Sequence, residues 1–172
     1  SRKLGELGIE LAATNIITAG QATARYLVEQ SKAPSVFIAG SEALRRELQR
    51  VGALESGQPE YVVAGIDLDM RLSVLAEAVG HLHGGAKLIA TNPDPMLPGG
   101  QGMEPEAGAV VAFLEAASGQ TAYVVGKPNS EIFKLAMTQL ELSAEQVAVV
   151  GDTAETDIAG ATAAGLRSIH VA

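Results

Sequence analysis

Residues 147–166 read VAVVGDTAETDIAGATAAGL, a short apolar run that passes through an acidic turn into a segment of small residues. Val147 to Val150 has the length and the β-branched composition of a buried strand, and the segment from Ile158 onward is expected to be helical. Two carboxylates, Asp152 and Asp157, stand five positions apart at this junction. The stretch predicts a strand, a turn and a helix, with acidic groups at the carboxyl end of the strand.

The composition is that of an ordinary globular protein. The chain has 172 residues, of which 47% are hydrophobic and 19% charged, and no apolar run approaches the roughly 20 residues that span a bilayer. The first dozen residues mix Arg2, Lys3, Glu6 and Glu10 with apolar residues, so we expect no export signal. The sequence contains no cysteine, which excludes disulfides and thiolate chemistry and favours a reducing compartment. We therefore predict a cytoplasmic protein that does not bind membranes.

The charge pattern argues against a nucleic-acid partner. The formal net charge is −8, which repels polyanions over the surface as a whole, and the few aromatic residues are too scattered for base stacking. A small anionic substrate remains compatible with this charge, because a local group of helix N-termini, lysine and metal outweighs a diffuse surface charge.

Short β-rich runs alternate with helical patterns along the chain. Helical spacing covers residues 131–140, with Asn129 or Ser130 available as N-cap, and residues 41–51, where Ser41 precedes the helix. Repeated alternation of this kind predicts an α/β protein with a mainly parallel sheet and functional groups at the carboxyl ends of the strands. The predicted strands are Asn15–Thr18, Ser35–Ala39, Tyr61–Gly65, Lys87–Ala90, Ala122–Val125, Val147–Val150 and Arg167–Val171.

One segment interrupts the alternation. Residues 92–106 hold four of the seven prolines and three glycines, which predicts a long loop. A loop of this length in a compact domain is typically functional, so we expect a lid or a specificity element here.

Asp152 is the best candidate for a metal ligand. A carboxylate at the end of a buried strand suits Mg²⁺, which prefers carboxylate and phosphate oxygens and keeps several waters. Asp157 is placed to turn back toward the same point and to bond a metal-bound water or a neighbouring lysine. The alternative for both residues is structural, because Asp157 or Thr156 can simply cap the helix while Asp152 begins a turn.

Lys127 also follows an apolar strand, in the stretch Val124-Val125-Gly126-Lys127-Pro128. If both strands belong to one parallel sheet, its ammonium and the two carboxylates meet at one edge, as a phosphoryl-transfer site requires. The alternative is a solvated lysine in a Gly-Lys-Pro turn. A Walker A lysine is excluded because Pro128 stands where that motif has Ser or Thr.

These motifs resemble a known family. GKPNSEIF at 126–133, followed by VVGDTAETDIAGATAAGL at 149–166, is similar to the third and fourth motifs of the haloacid dehalogenase superfamily. TAGQATARYL at 18–27, VVAGIDLDMRLSVLAEAV at 62–79 and ATNPDPMLP at 90–98 resemble its nitrophenylphosphatase-like branch. The likeness runs through nearly the whole chain in the order of the family.

The resemblance implies a phosphatase that acts on small phosphorylated metabolites. In such enzymes an aspartate attacks the phosphate monoester, and water then hydrolyses the aspartyl-phosphate with Mg²⁺ bound. By motif match, Lys127 steadies the nucleophile and phosphate, Asp152 ligates Mg²⁺ and Asp157 supports the waters of the metal. Asn92 and Leu97 lie in the segment where the cap meets the leaving group, so they are the expected substrate-binding residues.

The resemblance also implies two domains and an incomplete motif set. Residues 1–19 and 122–172 correspond to part of a Rossmann-like hydrolase core, and residues 20–121 to an inserted α/β cap. The nucleophile motif Asp-x-Asp-Gly and the phosphate-binding motif Thr-Asn-Asn are not found, so we expect the inner two-thirds of a longer enzyme, with little or no activity by itself. A core without its central strand has unpaired strand edges, which favours either self-association into a homo-oligomer or instability. The alternative is a non-catalytic fragment or pseudoenzyme that binds a phosphorylated ligand or a partner subunit.

Two other acidic and histidine patterns carry less weight. Asp67 and Asp69, in IDLD, imitate a nucleophile motif or the metal-binding DxD of a glycosyltransferase, but Met70 follows where the family has glycine. His81 and His83 can present two imidazoles to a metal, although a polar helix end is the simpler interpretation.

Overall fold

A computed structural model describes residues 2–100 and 102–171, and it has an α/β architecture with mostly parallel strands. Over these residues the strands are β1 Ser35–Ala39, β2 Leu54–Glu55, β3 Tyr61–Ala64, β4 Lys87–Ala90, β5 Met96–Gly99, β6 Gly102–Pro105, β7 Tyr123–Val124, β8 Ala148–Gly151 and β9 Arg167–His170. The α-helices are α1 Arg2–Glu6, α2 Ala19–Gln30, α3 Glu42–Arg50, α4 Leu72–His83, α5 Ala107–Ser118, α6 Glu131–Leu140 and α7 Ala159–Ala163.

The centre of the fold is a parallel sheet in the order β2-β1-β3-β4-β7. Its middle strands are short runs of Val, Ile and Ala, and all four residues of β3 are buried, as expected where helices cover both faces. The cluster that contains Leu27 and Leu48 joins α2 and α3 to one face, and the cluster that contains Leu82 and Leu114 joins α4 and α5 to the other. The sheet is therefore the middle layer of a three-layer unit.

The caps of two helices follow directly from local sequence. Thr18 and Gln21 form a capping box at the start of α2, in which each side chain bonds the backbone N–H of the other residue. Ser41 accepts from the backbone of Leu44 at the start of α3, as predicted.

The carboxyl-terminal part of the chain forms a smaller unit. Strands β8 and β9 pair in parallel, with Gly151 in register with His170. Phe133 of α6, Ala161 of α7 and Leu166 form the buried cluster beside them. A π-helical turn at Ala154–Ile158 links β8 to α7.

The structure confirms the predicted fold class and six of the seven predicted strands to within a residue or two at their ends. The prediction of a strand at Asn15–Thr18 is wrong. Ala13–Asn15 is a 3₁₀ turn, and although Ile16 and Thr18 are extended, no strand among the described residues pairs with them. Thr18 instead caps α2.

One further feature differs from the sequence-based expectations. Residues 92–106 are not an irregular loop, because β5 and β6 form an antiparallel hairpin inside it. Strand β7, which falls in the segment predicted as core, pairs with β4 of the five-stranded sheet. None of the helices over the described residues is long and apolar enough to cross a bilayer.

Candidate active site

An ion pair between Lys127 and Asp157 lies at the centre of the candidate site. The ammonium Nζ donates to Oδ1 of Asp157 at 2.5 Å, although the two residues are thirty positions apart. The side chain of Asp157 is only 11% exposed, whereas that of Lys127 is 44% exposed. The carboxylate is therefore fixed inside the protein, while its cationic partner can still meet a ligand.

Close packing against β8 holds Asp157 in place. A Cβ atom at Gly151 would overlap the side chain of Asp157, so only glycine allows this approach. The backbone N–H of Thr153 donates to Oδ2 of Asp157 at 3.2 Å, and the N–H of Asp157 donates to the carbonyl of Thr153 at 2.8 Å. Both carboxylate oxygens are thus bonded, one by an ammonium and the other by a backbone amide.

These contacts lower the pKa of the Asp157 carboxyl. Burial alone would raise the pKa, because it penalises the charged form. The hydrogen bond and charge of Lys127, together with bonds from the backbone of Thr153 and Asp152, outweigh burial and leave the pKa below its ordinary value. Asp157 is consequently an anion at neutral pH and cannot serve as a general acid there.

We expect the contribution of this pair to stability to disappear in acid. Since the folded-state pKa of Asp157 is lowered, the stabilisation is complete above the ordinary carboxyl pKa of about 4 and is lost as the pH falls through the folded value. Chemical denaturation of the wild type and of Asp157→Asn between pH 7 and 3 measures this. The stability difference between the two proteins should be constant at higher pH and shrink below about pH 4, and parallel profiles would contradict the assignment.

The turn that carries Lys127 is tied to the end of β4. The N–H of Gly126 donates to the carbonyl of Thr91 at 3.0 Å, and a Cβ at position 126 would collide with that carbonyl. Asn129 closes the turn, because its Nδ2 donates to the carbonyl of Val124 at 2.7 Å and its Oδ1 accepts from Ser130 at 3.0 Å. The position of Lys127 therefore depends on the five-stranded sheet.

Asp152 follows β8 directly and is exposed. Its Oδ1 accepts from the hydroxyl of Thr153 at 3.3 Å, and its backbone carbonyl lies 3.1 Å from Nε2 of His170. A lightly engaged carboxylate at a strand end suits Mg²⁺, which needs few protein ligands besides water and phosphate. Within residues 2–100 and 102–171 no group of three acidic or histidine side chains is arranged to hold a metal, so Asp152 fits as one ligand of a partial set.

The predicted substrate-binding residues belong to the hairpin that follows β4. Nδ2 of Asn92 donates to Oε1 of Glu106 at 2.8 Å, and Oδ1 of Asn92 accepts from the N–H of Asp94 at 3.1 Å. The side chain of Asn92 thereby closes the base of the hairpin, and its Cα packs against Gly126 beside Lys127. Leu97 lies farther along the hairpin, in β5, and is partly exposed.

An open cleft of about 620 Å³ adjoins these elements. Pro93 from the hairpin base, Pro128 and Asn129 from the lysine turn, and Thr156 from the turn before Asp157 are among its walls. The cleft therefore borders the lysine turn and the turn before Asp157, although Lys127, Asp152 and Asp157 are not among its lining residues.

Sequence reasoning missed three residues that build the site. Gly151 and Thr153 shape the pocket of Asp157, and Asn129 organises the lysine turn instead of capping α6 with its side chain. A glycine between a strand and an acidic residue is a signal for close backbone approach, but the partner of that approach cannot be read from local sequence.

The two competing patterns have structural roles in the fold. Oδ1 of Asp67 accepts from the N–H of Asp69 at 3.0 Å, which makes a turn between β3 and α4. The ring of His81 packs on Phe37 with centroids 4.8 Å apart, and its Nε2 is buried without a hydrogen-bond partner among the described residues.

Comparison with known proteins shows related sequences and structures. A family model described as haloacid dehalogenase-like hydrolase matches residues 1–53, and a HAD-hydrolase-like model matches residues 124–172. Acid sugar phosphatase from Staphylococcus aureus (strain USA300) is 34% identical over 99% of this chain and 67% of that protein. The corresponding protein of Staphylococcus haemolyticus is 32% identical over 99% of this chain and 66% of its own length, so this chain spans about two thirds of these relatives.

Solved structures give the same result. A mutant of the thermostable p-nitrophenylphosphatase from Bacillus stearothermophilus superimposes with a TM-score of 0.91 at 31% identity, over 98% of this chain and 67% of that one. Glycerol phosphate phosphatase from Mycobacterium tuberculosis, in complex with calcium, gives 0.92 at 36% identity, over 98% of this chain and 51% of that one. The chain therefore belongs to the haloacid dehalogenase superfamily, in its nitrophenylphosphatase-like branch.

Proposed function

We propose that this chain carries part of the active site of a Mg²⁺-dependent phosphatase of small phosphorylated metabolites, which forms an aspartyl-phosphate on a nucleophile outside these 172 residues. The observation that carries the proposal is the pair between half-exposed Lys127 and buried Asp157, which the backbone of Asp152 also bonds, while the carboxylate of Asp152 is exposed. An ammonium that is held by a fixed carboxylate, near an aspartate that can ligate a metal, suits the binding of a dianionic phosphate group.

Lys127 has the role of an electrostatic clamp. Its bond to Asp157 restricts the long side chain before substrate arrives, so little ordering is needed when a phosphoryl oxygen approaches. The charge of the ammonium is most valuable where negative charge builds on the phosphoryl oxygens. Asp157 is in this scheme a positioning residue for Lys127 and for water near the metal.

Asp152 would hold the Mg²⁺ ion through a carboxylate oxygen. When bound, Mg²⁺ would neutralise charge on the phosphate and orient it. Relatives support the choice of a divalent cation, because structures of glycerol phosphate phosphatase from Mycobacterium tuberculosis contain magnesium or calcium. Among the described residues, the side chain of Asp152 bonds only Thr153, at 3.3 Å, so it is available for this role.

The substrate class follows from the relatives and from the hairpin. Acid sugar phosphatase and glycerol phosphate phosphatase act, by their names, on small phosphorylated polyols and sugars. We assign the leaving group to the side of the hairpin, with Asn92 at its base and the apolar side chain of Leu97 farther out. An apolar Leu97 disfavours a charged leaving group. We also assign the activity to the cytoplasm, on the basis of the cysteine-free sequence.

Metal binding and turnover test the proposal separately. Binding of Mn²⁺ to the 172-residue chain, followed by electron paramagnetic resonance, should weaken at least about tenfold in Asp152→Asn. Turnover of p-nitrophenyl phosphate, glycerol phosphate and sugar phosphates should be at background level for this chain. It should appear when a segment with the Asp-x-Asp-Gly and Thr-Asn-Asn motifs precedes Ser1, and Asp152→Asn should then raise the Mg²⁺ concentration for half-maximal rate.

Asp67→Asn is the matched control for these assays. It removes one carboxylate that follows β3, in the five-stranded sheet, and that bonds the N–H of Asp69 in a local turn, so metal affinity and turnover should stay unchanged. Turnover by the chain alone that Asp67→Asn abolishes would overturn the assignment. Turnover that never appears, with phosphate binding intact, would favour the non-catalytic alternative.

A further inference from the structure

All three tyrosines of the chain line a single cavity of about 250 Å³. Tyr61 and Tyr123 are the first residues of β3 and β7, and Tyr26 comes from α2. The cavity therefore opens at the amino edge of the five-stranded sheet. The hairpin follows the carboxyl end of β4, about 13 Å away along that four-residue strand, and the lysine turn follows the carboxyl end of β7.

The strand register explains why these side chains meet. Tyr61 is in register with Lys87, and Tyr123 is in register with Ile89. Because side chains alternate along a strand, Lys87 and Ile89 point to the same face of the sheet. Residues in register on adjacent strands also share a face, so Tyr61 and Tyr123 point to that face as well. That face is the one that α2 covers, so Tyr26 completes the group.

The tyrosines provide both flat surfaces and unused hydrogen-bond donors. The rings of Tyr26 and Tyr123 are stacked, with centroids 4.8 Å apart and planes within 17°. Tyr61 is only 8% exposed, yet its hydroxyl has no partner among the described residues and is not sealed from the cavity. An accessible phenol without a protein partner is free to donate to a ligand, so this arrangement is suited to a ligand that supplies an acceptor.

Lys87 is the single charged residue among the described side chains that line the cavity. It forms no ion pair with another described residue. Glu60 accepts from the N–H of Ser35 at 3.1 Å, and Glu131 pairs with Lys134 at 3.0 Å. Lys87 thus supplies the formal positive charge among the described lining residues, while the carboxylate of Glu60 lies outside the lining with only neutral partners.

Burial and the surrounding acidic groups keep Tyr26 and Tyr61 in their neutral form. Burial raises the pKa of Tyr26, and the neighbouring Tyr123, Tyr61 and Glu131 raise it further. Burial, followed by the charge of Glu60, raises the pKa of Tyr61. Both phenols stay protonated at neutral pH and remain donors toward an anion.

We propose that this tyrosine cavity is an accessory binding site for a small planar anion, such as an aromatic carboxylate. The stacked pair of Tyr26 and Tyr123 would contact the ring, and Lys87 and the Tyr61 hydroxyl would contact the anionic group. The volume limits the ligand to about one ring with one charged substituent. The site is separate from the phosphatase site and does not depend on the proposed function.

Benzoate is the probe for this site. The ring signals of ¹³C-labelled tyrosine in the chain report on this cavity alone, because no tyrosine lies elsewhere. We expect benzoate to shift all three ring signals saturably, with a Kd on the order of 1 mM. Cyclohexanecarboxylate, which has the charge without the planar ring, and benzamide, which has the ring without the charge, should bind at least about tenfold more weakly.

Charge-matched variants complete the test. Lys87→Gln should weaken benzoate binding at least about tenfold without changing benzamide binding, and Tyr61→Phe should weaken benzoate roughly threefold or more while the ring packing is retained. Lys32→Gln, an equal charge change at an exposed residue outside the cavity, should leave both affinities unchanged. The proposal is overturned by absence of a saturable shift below about 50 mM benzoate, by equal effects of Lys87→Gln and Lys32→Gln, or by equal binding of the three probes.

Discussion

Lys127→Met should lower kcat/KM for phosphate monoesters by about 10³-fold or more in a polypeptide that also carries the two missing motifs. Methionine keeps the length and apolar stem of lysine but removes the ammonium that meets the phosphoryl oxygens. The variant also leaves Asp157, with a side chain only 11% exposed, without its cationic partner. We therefore expect the free energy of unfolding to fall by about 1–2 kcal/mol as well, since Lys127 is partly solvated and water screens part of the loss.

A double variant separates catalysis from stability. Lys127→Met combined with Asp157→Asn removes both charges, so most of the stability should return while the activity stays lost. Lys134→Met is the matched control, because Lys134 forms an exposed ion pair with Glu131 at 3.0 Å and lies in α6, just after the lysine turn. Equal losses of activity in Lys127→Met and Lys134→Met would contradict the role assigned to Lys127.

Gly151→Ala should destabilise the protein by about 2–3 kcal/mol and disrupt the pocket of Asp157. An added Cβ would lie 2.5 Å from Cγ and 2.6 Å from Oδ2 of Asp157, which is closer than real Cβ contacts allow. The backbone φ of Gly151 is not in the left-handed region, so the cost comes from this steric overlap. Denaturant unfolding measures the loss, and the lowered pKa of Asp157 should move back toward its ordinary value.

Gly80→Ala is the control for the glycine experiment. Gly80 lies inside α4, has a helical backbone, and has no atom within 4 Å of an added Cβ. Alanine there should be neutral or stabilising by about 0.5–1 kcal/mol, because it reduces the entropy of the unfolded chain without a clash. Destabilisation of similar size in both variants would show that the contact with Asp157 is not the cause.

Local sequence predicted most of the secondary structure, because the buried face of a helix or strand places apolar residues at a regular spacing along the chain. The apolar runs at Ser35–Ala39 and Lys87–Ala90 are strands over the predicted residues, and α6 begins and ends where its helical spacing does. The same reasoning failed at Asn15–Thr18, where extended residues have no partner strand among the described residues. It also failed in residues 92–106, where the prolines and glycines predicted a loop. The hairpin there depends on pairing between two segments, β5 and β6, which the composition of the stretch does not show.

The chemical types in the candidate site were also predictable. A lysine and two aspartates that follow apolar strands are a recognisable pattern for phosphate chemistry, and their roles in catalysis stay predictions. The contact between Lys127 and Asp157 was expected on the condition that both preceding strands belong to one parallel sheet. The two residues do meet, but β7 and β8 lie in different sheets, so that condition was wrong. Gly151 and Asn129, which make the contact possible, show no local feature that reveals their partners.

The sequence by itself determined the alternation of strands and helices, the parallel α/β class and the side chains available for chemistry, because each of these depends on neighbours in the chain. Only the tertiary structure decided that β7 pairs with β4, that Lys127 meets Asp157 across thirty residues, and that Tyr26, Tyr61 and Tyr123 share one cavity. The physical reason is that periodicity records which face of an element is buried, whereas the choice of partner depends on strand order and register between distant segments.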